Sequence, residues 1–209
     1  MRIGILGGTF NPPHLGHLVC GQEAFVQLGL DRVLLIPART PPHKPLRDDP
    51  GAGRRLELCR LAVRDDERFE VSDLELMREG PSYTVDTLEK LHATVPDCEL
   101  YLIVGGDIAT GLPEWREPEQ VLSLATLAVA GRAGTSQAAI EAALRRVPGG
   151  ERVRFFRMPQ ISVSSTMVRR RVVSGEPIRY LVPEAVARYI ERHGLYSASS
   201  RSAEVPSSA

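Results

Sequence analysis

Short apolar runs alternate along the chain with stretches whose apolar positions recur every three to four residues. Six runs predict strands: Arg2–Leu6, Arg32–Ile36, Phe69–Val71, Glu99–Val104, Thr126–Ala130 and Val153–Arg157. Between them, helical spacing covers Leu15–Leu28, Arg54–Val63, Ser82–His92, Glu117–Leu124 and Gln137–Val147. Two further helices, Ser165–Val173 and Glu184–His193, form a short helical C-terminus. In the first helix, Leu18, Val19, Phe25 and Val26 are expected on one face. Strict alternation of strand and helix predicts an α/β fold, a doubly wound parallel sheet with helices on both faces. Residues 1–196 read as a single domain, and the Ser- and Ala-rich stretch 197–209 as a disordered tail. The proline-rich segment Pro37–Gly53 has no apolar periodicity, which fits a lid or a solvated connector equally.

Composition narrows the function. The chain has 209 residues, 43% of them hydrophobic, enough for one sizeable core. Lys plus Arg and Asp plus Glu balance at 26 each, so net charge offers no general attraction to a nucleic-acid backbone. Cys20, Cys59 and Cys98 are odd in number and lack metal-type spacing. They read as reduced core thiols in a cytoplasmic protein. Glycine comes too early in MRIGILGG for a signal peptide, and no apolar run reaches membrane-spanning length. The expectation is therefore a cytoplasmic protein with no membrane partner, and a homo-oligomer remains open.

The most informative segment follows the first strand: Gly7-Gly8-Thr9-Phe10-Asn11-Pro12-Pro13-His14-Leu15-Gly16-His17. Two glycines let the backbone pass close to a ligand. A helix start supplies free N–H groups and the positive end of a dipole, which favour an anion. His14 and His17, three residues apart, share one face of the first turn and can donate hydrogen bonds to phosphate oxygens. A zinc site would need a third ligand, and none has a natural place nearby. The segment resembles the signature of the nucleotidylyltransferase superfamily: a glycine–Thr/Ser–Phe turn followed by His-x-Gly-His. That resemblance implies a Rossmann-like sheet, contacts of His14 and His17 with ATP phosphates, and approach of Gly7, Gly8, Thr9 and Phe10 to the nucleotide.

Two more segments fit the same reading. Hydroxyls at Ser164, Ser165 and Thr166 precede an apolar helical run and can cap it, with Arg169 one turn on. Alone, this is a capped helix with a solvated basic face. Beside the first motif it is a second phosphate cradle. It resembles the superfamily's Ile-Ser-Ser-Thr-x-Ile-Arg, with Val163 and Val168 where isoleucine is usual. The resemblance assigns ATP binding to Ser164, Ser165 and Thr166, and a catalytic role on the phosphates to Arg169. Gly105-Gly106-Asp107 ends the strong fourth strand, where ligands of open parallel sheets bind. The family's Gly-x-Asp falls on Gly105 and Asp107, which implies nucleotide contact and a water placed on magnesium.

For the acceptor, Pro81-Ser82-Tyr83-Thr84 reads as a helix entry with Ser82 as cap, and Trp115 is the chain's one tryptophan. With Pro41-Pro42-His43-Lys44 and His193-Gly194-Leu195-Tyr196, these segments resemble bacterial nicotinate-nucleotide adenylyltransferases over nearly the whole chain. That family implies nicotinate mononucleotide as acceptor, its pyridine stacked on Trp115. Its carboxylate would lie near Ser82, Tyr83 and Thr84, with Lys44 in the lid. A carboxylate gains more than a carboxamide at a helix N-terminus. The implied reaction transfers AMP from ATP to the acceptor phosphate and releases pyrophosphate, with Mg2+ carried on the ATP phosphates. The rivals are a relative acting on nicotinamide mononucleotide, phosphopantetheine or a sugar phosphate, and a non-catalytic nucleotide sensor.

Overall fold

The computed structural model describes residues 1–42, 46–131 and 136–197. The six strands are β1 (Arg2–Gly8), β2 (Arg32–Pro37), β3 (Phe69–Val71), β4 (Glu99–Gly105), β5 (Ala125–Gly131) and β6 (Arg154–Arg157). They form one parallel sheet in the order β3-β2-β1-β4-β5-β6. The chain winds outward from the centre twice, so the order reverses between β1 and β4. A crevice at the carboxyl ends of these two strands is the expected ligand position in such a sheet. Register sets Ile5 beside Leu102.

The helices are α1 (Leu15–Leu28), α2 (Ala52–Val63), α3 (Thr84–Thr94), α4 (Gly106–Thr110), α5 (Pro118–Leu124), α6 (Gln137–Leu144), α7 (Ser165–Val173) and α8 (Glu184–Arg192). All the expected strands and helices are present, with ends moved by up to a few residues. The short α4 and the 3-10 turns at Leu112–Glu114 and Gly150–Arg152 were not expected. Lone turns of this length carry too few residues to show a period.

Alternation along β1 divides the core. Ile3 and Ile5 join the cluster under α3, α5 and α6, with Leu88, Leu102, Val121 and Ile140. Leu6 joins the cluster on the other face, with Cys20, Ala24, Leu35 and Cys59 from β2, α1 and α2. A third cluster joins Leu58 of α2 to Val168 of α7, Val186 and Ile190 of α8, and the closing Leu195 and Tyr196. The three cysteines are buried, as a core role requires.

The expected face of α1 is corrected in part: Leu18 and Phe25 do pack against the second cluster. Its buried strip is Gly16, Cys20, Gly21 and Ala24, while Val26 is 64% exposed. Small residues let the helix lie close on the sheet: a Cβ on Gly21 would come within 2.5 Å of the Phe69 ring. Branched side chains on that face would hold the helix away. Among the described residues, no helix is long and apolar enough to cross a membrane.

Candidate active site

The glycine motif leaves β1 at Gly8 and turns through Phe10, whose φ of 49° is in the left-handed region. A non-glycine residue held there costs of order 1–3 kcal/mol and persists only where surrounding contacts enforce it. Phe10 is 1% exposed and packs edge-on against His17, with ring centroids 5.0 Å apart. The peptide between Asn11 and Pro12 is cis. His14 then stands as N-cap of α1 in extended backbone.

The two histidines meet as their spacing required. Their rings stack at 3.7 Å between centroids. The His14 backbone N–H donates to Nδ1 of His17 at 3.2 Å. With Nδ1 an acceptor, the proton of that ring sits on Nε2, which becomes a donor. Gly16 makes the stack possible, since a Cβ there would lie 3.0 Å from the His14 ring.

The serine motif docks onto this turn. Ser164 caps α7 by accepting from the Met167 N–H at 3.2 Å. Ser165 donates its hydroxyl to the Pro12 carbonyl at 2.7 Å. Arg169 donates from Nη1 to the Asn11 carbonyl at 2.8 Å and faces Asp48 at 3.5 Å. Between the motifs lies a cavity of about 550 Å³ lined by Thr9, Phe10, Asn11, His17, Leu46, Arg47, Ser164, Ser165, Thr166 and Arg169. His17, Arg47 and Arg169 give it donor and cationic character, and the starts of α1 and α7 add to it.

Not every expected residue faces this cavity. His14 is 6% exposed and supports His17 from behind. Gly7, Gly8, Gly105 and Asp107 are not among the lining residues and stand where β1 and β4 end. A Cβ on Gly7 would meet nothing within 4 Å, so that face of the strand end is open. Asp107 is exposed in the first turn of α4. Among the described residues, no three His, Cys, Asp or Glu side chains are grouped to hold a metal ion. The cavity's own donors, His17, Arg47 and Arg169, suit an anionic ligand.

A second pocket of about 110 Å³ is lined by Pro42, Ser82, Tyr83, Thr84, Trp115 and Arg116. It unites the tryptophan with the α3 start, as expected. Pro42 lines this pocket, and Leu46 and Arg47 line the larger cavity. Lys44, also assigned to the acceptor, lies outside the described residues.

The expected cap is corrected. The N-cap of α3 is Tyr83, with no side-chain capping bond, and the helix begins at Thr84. The Ser82 hydroxyl instead accepts the Arg39 N–H at 3.0 Å, tying the α3 entry to the end of β2. Tertiary contact takes the hydroxyl from its local role. Beneath it lies Glu75, buried and accepting from Thr87 Oγ1 at 2.8 Å. Burial pushes its carboxyl above the usual carboxylate range, and bonds from Thr87 and Ser82 oppose this.

Sequence reading missed several residues. Arg47 and Asn11 line the cavity, and Asn11 Nδ2 holds the loop through the Arg47 carbonyl at 3.0 Å. Arg116 lies 4.7 Å from the Tyr83 ring centroid. Arg55 is fully buried. Loop arginines resemble any solvated charge in sequence, and only Asn11, inside the motif, carried a local signal. Cys59 is no nucleophile candidate, because burial pushes its thiol far up despite Arg55 nearby.

Comparison with known proteins agrees with this geometry. The cytidylyltransferase-like family model matches residues 5–171. A Desulfitobacterium hafniense (strain Y51) protein named "probable nicotinate-nucleotide adenylyltransferase" is 46% identical over 200 residues, covering 93% of this chain and 95% of the relative. A Thermus thermophilus protein of the same name is 46% identical over 197 residues, covering 94% of this chain and all of the relative. A solved Plasmodium falciparum nicotinic acid mononucleotide adenylyltransferase, complexed with NaAD, shares the fold with a TM-score of 0.76 at 19% identity. That match covers 93% of this chain and 97% of the neighbour. With the histidine and serine motifs joined at the carboxyl edge of the sheet, the chain belongs to the cytidylyltransferase-like family, among its nicotinate-nucleotide adenylyltransferases.

Proposed function

We propose that residues 1–196 form one catalytic unit that transfers AMP from ATP to nicotinate mononucleotide, giving nicotinate adenine dinucleotide and pyrophosphate. The observation that carries this reading is the seam between the motifs: Ser165 on Pro12 and Arg169 on Asn11 join the two segments that line a cationic cavity, while a second pocket holds Trp115. ATP fits the larger space and the pyridine of the acceptor the smaller one. The Plasmodium falciparum neighbour complexed with NaAD joins the same two halves in one ligand.

The acceptor phosphate attacks the α-phosphorus of ATP, and a new P–O bond forms. The bond from that phosphorus to the bridging oxygen breaks, and its electron pair leaves with pyrophosphate. With a second pKa of about 6, the acceptor phosphate is largely ionised at neutral pH, so no general base is required. The chain contributes alignment and charge stabilisation. His17 donates from Nε2, with His14 stacked behind it. Arg169 places its guanidinium at the phosphates, and the hydroxyls and amides at Ser164, Ser165 and Thr166 complete the cradle. Gly7, Gly8 and Gly105 let the nucleotide lie on the strand ends. Asp107, exposed in the first turn of α4, would orient a water of a bound cation. Mg2+ carried on the phosphates would neutralise charge on the leaving pyrophosphate.

At the acceptor, Trp115 stacks on the pyridine, and the amides at Tyr83 and Thr84 receive the carboxylate; Lys44 is assigned to the acceptor by the family resemblance. The neutral charge balance and this small-molecule site support a cytoplasmic enzyme that does not bind nucleic acid.

The deciding experiment supplies purified protein with ATP, Mg2+ and one phosphorylated acceptor at a time. Pyrophosphate release with nicotinate mononucleotide, and much less with nicotinamide mononucleotide or phosphopantetheine, is the expected result. No release with any acceptor would overturn the catalytic reading, and preference for another acceptor would overturn the specificity.

A further inference from the structure

Among the described residues, Arg55 is the largest fully buried side chain, although α2 carries it one turn from an exposed helix start. Its guanidinium contacts three separate segments. Nη1 donates to the Thr9 carbonyl at 3.0 Å and to the Ala38 carbonyl at 2.6 Å. Nη2 donates to the Arg39 carbonyl at 3.2 Å. Nε donates to Asp49 Oδ1 at 2.8 Å. Each segment leads to a different part of the site. Thr9 lines the nucleotide cavity. The Arg39 N–H bonds the Ser82 hydroxyl at the acceptor pocket. Asp49 follows Asp48, the partner of Arg169.

We propose that Arg55 is a positioning residue that sets the spacing between the nucleotide and acceptor subsites. It touches neither cavity, so it acts through backbone carbonyls. Burying a guanidinium is costly unless its donors and charge are matched. Here Asp49 supplies the charge and three carbonyls take three of the other four donors. One rigid planar fork therefore holds the phosphate turn, the end of β2 and the loop at fixed distances. In-line transfer depends on that spacing, because misplacing a reacting group by about 1 Å can cost 10²-fold in rate. Lysine would keep the charge but not the fork.

The inference rests on the adenylyltransferase reading, and wild-type enzyme is assayed alongside to separate the two. Arg55→Lys and Asp49→Ala are made in the full chain, and folding is followed by circular dichroism and thermal melting. Steady-state pyrophosphate release gives kcat and the KM for ATP and for nicotinate mononucleotide. For Arg55→Lys, kcat falls by about 30- to 100-fold, with both KM values within about threefold of wild type. Asp49→Ala, which loosens the fork but keeps its carbonyl bonds, shows the same split at about tenfold. If Arg55→Lys does not fold, Asp49→Ala carries the test. Wild-type kcat in a folded variant, or a loss confined to the KM of one substrate, overturns the inference while leaving the enzyme assignment standing. An inactive wild type overturns both.

Discussion

The Arg169 guanidinium donates to the Asn11 backbone carbonyl at 2.8 Å, joining residues 158 positions apart. This bond, with Ser165 on Pro12, holds α7 against the turn that lines the larger cavity. Arg169→Ala removes both a cavity wall and a phosphate partner. Turnover should fall by about 10²- to 10³-fold, the scale of losing one preorganised charge-stabilising donor. Steady-state kcat with saturating ATP checks this, and a variant with wild-type kcat would remove Arg169 from the site.

His17 lies half-buried in the first turn of α1 and lines the same cavity. His17→Ala loses the bond from the His14 N–H, a cap whose removal costs about 1 kcal/mol. The thermal midpoint should therefore drop by a few degrees while kcat falls by orders of magnitude. His14→Ala should also slow turnover, by letting the His17 ring move. A large loss of stability with normal turnover in either variant would make the pair structural.

Glycine substitutions separate packing from function. Gly16→Ala pushes a Cβ against the His14 ring at 3.0 Å and should lower kcat with little effect on ATP affinity. Gly53 lies exposed in α2, and a Cβ there meets nothing within 4 Å. Gly53→Ala should raise stability by about 0.5–1 kcal/mol and leave kcat alone. Chemical denaturation and kinetics on both variants test this contrast.

Glu75 makes a pH prediction. Its folded pKa lies above its unfolded value, so the native state binds more protons and the carboxyl's contribution to stability falls as pH rises. That contribution is full below the ordinary glutamate range and is lost through the raised folded value. Glu75→Gln removes the titration but keeps an acceptor for Thr87. Its melting temperature should approach or exceed that of wild type toward about pH 8 and lose this advantage toward about pH 4.5. A variant equally destabilised at every pH would contradict the sign.

Substrate choice separates two parts of the acceptor pocket. Trp115→Ala should weaken nicotinate and nicotinamide mononucleotides alike, because the ring surface ignores the substituent. Thr84 is the first residue of α3, a position where proline is well tolerated. Thr84→Pro thus deletes one amide donor without breaking the helix. A charge-assisted bond contributes about 1.5–3 kcal/mol, so acid preference should fall by roughly one to two decades. Comparative kcat/KM with both mononucleotides tests this, and unchanged selectivity would place the carboxylate elsewhere.

Local chemistry was enough to identify the strands, the histidine pair and the serine-rich helix start. Each depends on short spacings: alternation along a strand, three residues between histidines, a hydroxyl before a helix. The sequence by itself therefore determined the parallel α/β fold and marked the histidine and serine segments. Tertiary structure alone decided which groups those motifs use. The Ser82 hydroxyl accepts the Arg39 N–H from 43 positions away, and Tyr83 takes the N-cap position. The buried face of α1 proved to be its small residues, because close seating on the sheet outweighs the larger side chains nearby. Arg55 reads as one more charge on a helix, yet it binds carbonyls 46, 17 and 16 positions away. Burial and long-range hydrogen bonding depend on which segments the sheet brings together, and no window of sequence contains that information.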